Sequence, residues 1–189
     1  MDVDKIPTIV ESSLTNGGKR TVIDTDLAPG SKAPSHYHAD FTETFTLVSG
    51  SMTVWTSEDM NEESLKPIEP EVGKAVSVPP NTLHKFLVNE QSQVHVVMSP
   101  GTIGFEKMIL IMRGTQTDGV YTQFSSPVTE SGATFFSVLG DLTNTLFVGE
   151  AKARLDALAA TKGSEIETVK QELIAKYASD GLLKKAAEL

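Results

Sequence analysis

The sequence predicts a mainly β domain followed by a helical extension, on three observations. Residues 19–100 are a series of short β-branched runs broken by turn residues, the pattern of an all-β sandwich or barrel. Past Pro100 the apolar period lengthens, because Phe105, Met108, Ile109 and Met112 recur at i, i+3, i+4 and i+7, one face of a helix. All four histidines, at positions 36, 38, 84 and 95, fall within the β region, which concentrates the candidate chemistry there.

The predicted strands are residues 20–26, 35–38, 44–48, 51–56, 75–78, 83–88 and 93–98. Pro29-Gly30, Ser49-Gly50 and Pro79-Pro80-Asn81 mark turns between them, and the two strands flanking Gly50 read as a hairpin. The acidic stretch 57–64 reads as a solvated loop. Beyond the first helical face, Phe135, Val138, Leu139, Leu142 and Leu146 repeat the spacing, with Gly149 placed to end that helix. Residues 151–162 form a further helix stopping at Gly163, and Ser164-x-x-Glu167 is a capping-box match ahead of Ile166, Val169, Leu173 and Tyr177. The expected division is residues 1–100 as a barrel and 101–189 as a helical extension packed on it, since each amphipathic helix needs its apolar face covered.

With 189 residues and 39% hydrophobic content, the chain can bury one core plus a modest extension. Its 25 acidic against 16 basic residues give a net charge of -9, which opposes binding to nucleic acid or an anionic membrane. The lack of cysteine excludes disulfides and thiolate nucleophiles, and leaves nitrogen, oxygen and thioether groups as metal ligands. A cytoplasmic location is expected, because the first ten residues carry Asp2, Asp4 and Lys5 where a signal peptide would have a basic start and an apolar run. No apolar stretch approaches the ~20 residues of a membrane span.

His36 and His38 lie two apart on a strand, so both imidazoles project to one face and Tyr37 to the other. Glu43 is an odd number of residues beyond His38, and a bend within 39–42 must turn it back toward them. His84 comes from a later strand, returned across the interior by the Pro79-Pro80-Asn81 turn. Three neutral imidazoles and one carboxylate suit one divalent transition metal: iron, nickel, manganese, copper, cobalt or zinc. Counting by twos, Phe45 shares the face of Glu43 and Phe86 that of His84; each reads as barrel packing or as lining of a substrate pocket. His95 reads as a structural or surface histidine, and Trp55 and Tyr121 as packing or interface residues.

These residues carry a resemblance to a known family. Gly30-x5-His36-x-His38-x4-Glu43-x6-Gly50 matches every fixed position of the first cupin motif. Gly73-x5-Pro79-x-Asn81-x2-His84-x4-Asn89 is similar to the second, with Asn81 where the family has glycine and Asn89 one residue later than the family's asparagine. The resemblance covers residues 19–100 and implies a double-stranded β-helix, the jelly-roll barrel of small single-domain cupins. It also implies His36, His38, Glu43 and His84 as metal ligands, with Glu43 the catalytic proton acceptor in an enzyme. Cupins with such a ligand set include dioxygenases, decarboxylases, isomerases and simple binders. The leading expectation is a metal-dependent enzyme acting on a small organic molecule, with dioxygenase-like chemistry ahead of isomerase or decarboxylase chemistry. The alternative is a non-catalytic binding module, and a homodimer is the assembly expected of either.

Overall fold

A computed structural model describes residues 6–120 and 130–188 of the chain, so Tyr121 lies outside the described residues. Two five-stranded antiparallel sheets face each other. The first has the order β1 (Thr8–Glu11), β2 (Thr21–Leu27), β9 (Ser92–Ser99), β4 (Thr42–Ser49), β7 (Ala75–Val78). The second runs β10 (Thr145–Phe147), β3 (Lys32–His38), β8 (Leu83–Val88), β5 (Met52–Ser57), β6 (Lys66–Ile68). This is the double-stranded β-helix that the family resemblance implies.

Strand alternation builds the core. The cross-strand row Ile23, Val96 and Phe45 points inward from the first sheet. Met52, Val54 and Val88 point inward from the second and join it in one buried cluster. Each such side chain, fully buried, contributes about 1.5–3 kcal/mol relative to exposure. The next row outward from the first sheet holds Asp24 and His95, joined by a 2.7 Å hydrogen bond on the exposed face. Trp55 is partly buried on β5, with the Lys85 ammonium 5.4 Å from its ring centroid.

The strands flanking Gly50 do not form a hairpin. β4 pairs with β7 and β9, whereas β5 pairs with β6 and β8, so the chain crosses from one sheet to the other at Gly50. A turn residue announces a change of direction but not which strand will be the partner. Here Leu47 and Met52 are both buried in the core from opposite sheets, and a flat hairpin would have put them on one sheet. Gly50 has φ +88, and a Cβ there would fall 2.2 Å from the Gln91 carbonyl oxygen, so the crossing packs against the β8–β9 corner.

The region beyond Pro100 contains α1 (Ile103–Thr117), α2 (Glu130–Leu142), α3 (Gly149–Tyr177) and α4 (Asp180–Ala187). It is not wholly helical. The helix expected to run through Leu146 stops at Leu142, Asn144 turns with φ 49, and Leu146 lies in β10. Gly149 opens α3 instead of ending α2. Within α3 the backbone leaves helical geometry at Lys162 (φ -130, ψ 18), so the two helices expected on either side of Gly163 are present and meet at a kink. The Ser164 carbonyl accepts a hydrogen bond from the Thr168 hydroxyl in the second of them.

α1 holds the two layers together. Ile109 belongs to the barrel core, while Ile111 joins Phe135, Val138, Leu139 and Leu173 in a second cluster among the helices. Its Glu106 is 1% exposed and accepts four hydrogen bonds of 2.6–2.8 Å, from the Ser12 and Thr21 hydroxyls and from the Ser13 hydroxyl and backbone N–H. A buried carboxylate so satisfied ties the helix to the N-terminal segment and to β2. Nothing in the helical periodicity marks it, because the donors come from residues far away in the chain.

Candidate metal centre

β3 carries His36 and His38 on its inward face, and β8 brings His84 directly opposite His36. β3 gains one residue on β8 between Ala33 and His36, an irregularity that takes in Pro34, which has no N–H to offer a ladder. The Pro34 carbonyl lies 2.7 Å from His36 Nδ1. Residues 39–41 then carry the chain from the second sheet to the first, and this crossing supplies the bend that Glu43 needs. Glu43 therefore reaches the three imidazoles from the facing sheet. Asn81 holds the left-handed conformation (φ 58) where the cupin motif has glycine, and its N–H donates to the His38 carbonyl at 2.7 Å.

One candidate ligand atom from each of His36, His38, Glu43 and His84 lies within 4.8 Å of the other three, and all four residues are buried. Glu43 Oε2 is 3.1 Å from His84 Nε2 and 3.5 Å from His38 Nε2. Nδ1 of His36 faces the Pro34 carbonyl and Nδ1 of His84 faces the Thr82 carbonyl at 3.0 Å. A carbonyl only accepts, so both Nδ1 atoms carry the proton and both Nε2 atoms are left bare toward the cluster.

This donor set fits a cation. A neutral imidazole has one N–H, so His84 cannot donate to Thr82 and to Glu43 together unless the ring is charged. A divalent ion between Nε2 and the carboxylate resolves the conflict. Buried His38 has no hydrogen-bond partner at either ring nitrogen. Burial, and then the neighbouring His84 and His38 rings, push His36 down from 6.5 to about 3, which keeps it in the neutral form a metal binds. For Glu43 burial works upward, but the His38 and His84 imidazoles facing its carboxylate outweigh it and hold the carboxyl well below the ordinary range.

An aromatic shell closes over the cluster. Phe45 lies with its ring 6.4 Å from that of His84, and Phe86 packs on Phe45 at 6.2 Å. Both belong to the barrel core or pack against it. Three rings went unassigned to the site in the sequence. Phe41 stacks on His38 with centroids 4.4 Å apart, Phe105 of α1 stands edge-on to His38 at 5.8 Å, and Phe147 of β10 lies 6.1 Å from His36. The Thr145-Leu146-Phe147 run after Asn144 was the available signal for β10, masked by the apparent helical spacing of Leu146. His95 is remote from the cluster, on the exposed face.

The cupin domain family matches residues 24–100. A curated relative, quercetin 2,3-dioxygenase of Bacillus subtilis (strain 168), is 32% identical over 99 residues, 52% of this chain. The match spans only 27% of that relative's length. Among solved structures, KdgF from Halomonas sp. is similar at 21% identity over 50% of this chain and 76% of its own, with a TM-score of 0.40. An rmlC-like cupin protein from Desulfovibrio desulfuricans is similar at 16% identity over 51% and 82%, with a TM-score of 0.41. The assignment rests on the family match and on the two motifs: residues 24–100 of this chain form a cupin domain.

Proposed function

We propose that this cupin is a metal-dependent enzyme acting on a small organic molecule, with one divalent transition metal held by His36, His38, Glu43 and His84. The observation that carries the reading is the buried four-donor cluster, in which His38 has no other partner and the His84–Glu43 contact calls for a cation. The bound ion would supply Lewis acidity and, if redox-active, electron transfer to the organic ligand. The three imidazoles keep its charge, Glu43 cancels half of it, and the remaining positive field favours an oxygen-bearing ligand. Glu43 also offers its carboxylate as proton acceptor at the same spot. Oxygenation is placed ahead of isomerase or decarboxylase chemistry, in keeping with the dioxygenase relative.

The test is oxygen uptake by protein reconstituted with iron or copper, in the presence of flavonol-like, diketone or catechol compounds. Substrate-dependent consumption is expected, and Glu43→Gln slows it more than it weakens metal binding. Turnover of isomerase or decarboxylase substrates with zinc or nickel bound, and no oxygen uptake, would move the reading to non-oxidative chemistry. A second reading, the non-catalytic binding module, is favoured by the burial of all four donors, from 1% to 7% exposed. A metal spectrum that no small ligand, anionic or uncharged, perturbs would decide for it, because catalysis needs an open coordination position.

A further inference from the structure

We propose that a cleft at the junction of barrel and extension is the subsite through which a small uncharged molecule reaches this centre, and that Phe41 is the side chain that turns aside to admit it. The inference rests on the reading of the four-residue cluster as a metal site. The cleft has a volume of about 330 Å³, inside the range of small-molecule pockets, which is roughly 300–1,000 Å³. Its walls come from three parts of the chain: Asp40 and Phe41 from the crossing between sheets, Gly101 and Ile103 from the entry to α1, and Asn144 from the turn before β10.

Phe41 borders the cleft on one side and stacks on His38 on the other, with centroids 4.4 Å apart and planes 26° from parallel. The separation between cleft and candidate ligand is therefore one aromatic ring. Phe105 of α1 stands edge-on to both rings, 5.6 Å from Phe41 and 5.8 Å from His38. Elsewhere the cluster is backed by other rings, Phe147 beside His36 and Phe45 beside His84. The extension thus forms one wall of the route. Phe41, Pro100 and Ile103 give the cleft an apolar lining, and the Asp40 carboxylate, held by the Asn144 side-chain amide, sets a negative charge at its rim. Apolar walls beside a carboxylate favour uncharged ligands over anions.

The experiment follows transfer of iron from iron(II)-loaded full-length protein to 1,10-phenanthroline, a flat uncharged chelator, by the colour of its complex. The expected rate rises with chelator concentration. Phe41→Ala accelerates it tenfold or more, while Ile103→Trp, at an exposed position on the rim, slows it several-fold with the iron content unchanged. Replacing phenanthroline by doubly anionic pyridine-2,6-dicarboxylate gives a slower rate, and Asp40→Asn narrows the difference between the two. A rate independent of chelator concentration, or one that neither Phe41→Ala nor Ile103→Trp alters, overturns the route while leaving the metal centre intact. An unchanged ratio between the chelators in Asp40→Asn overturns the preference for uncharged ligands. Protein that takes up no iron refutes the metal centre, and the route with it.

Discussion

His36 and Glu43 set the pH behaviour of the metal-free fold, and the sign can be worked out for each. Between about 3 and 6.5 the unfolded chain binds a proton at His36 that the folded protein does not. Stability from this residue is therefore complete above 6.5 and is lost as pH falls toward 3. Glu43 is depressed below 4.5 in the fold, so its contribution also falls with acid, beginning at lower pH. Denaturant midpoints of the metal-free protein should decline from pH 7 to pH 4, and His36→Gln should flatten the upper part of that decline. An identical pH slope in the variant would remove His36 from the account. Protons compete with the ion for folded His36 only as pH approaches about 3, so this residue's share of the metal affinity should hold from pH 7 to pH 4 and fall below that.

Among the elements, α1 and β10 do most to join the extension to the barrel. Truncating Glu106 leaves the Ser12 and Ser13 donors buried without their acceptor and the Thr21 hydroxyl with only a 3.4 Å contact to the Thr102 carbonyl, and unsatisfied donors cost about 1–3 kcal/mol each before any relaxation. Glu106→Ala is expected to destabilise by about 3 kcal/mol or more, measured by denaturant unfolding, with Glu106→Gln costing less because an amide oxygen still accepts. A loss below about 1 kcal/mol would mean that water replaces the carboxylate. β10 makes its own prediction. The Val148 N–H donates to the Ser35 carbonyl at 3.1 Å just past the strand, so native-state hydrogen exchange there should be as slow as in the barrel strands. Exchange at the rate of an open loop would contradict the pairing with β3. The six strands of six to eight residues were legible because alternation over several residues separates the two faces, and the four-residue β7 because Pro79-Pro80-Asn81 marks its end, whereas β1, β6 and β10 have only three or four residues from which to read a period. The Gly50 crossing was legible as a turn but not as a change of sheet, since partner choice depends on contacts with the distant Gln91–Ser92 corner.

In the whole molecule, two sheets contribute to one centre: three imidazoles from the second sheet and a carboxylate from the first. That convergence could be read in the sequence because motif spacing names the residues, and strand parity required a bend within 39–42, which the structure places at 39–41. The rings from the extension could not, since Phe105 and Phe147 reach the histidines only through tertiary packing. The central claim is that one ion is bound by this set of side chains. Its most direct test is extended X-ray absorption fine structure at the metal edge of the loaded protein, beside His84→Ala. The account predicts outer-shell scattering from three imidazoles in the wild type, falling to two in the variant. An ion coordinated by oxygen alone, or the same imidazole count in both proteins, would contradict it.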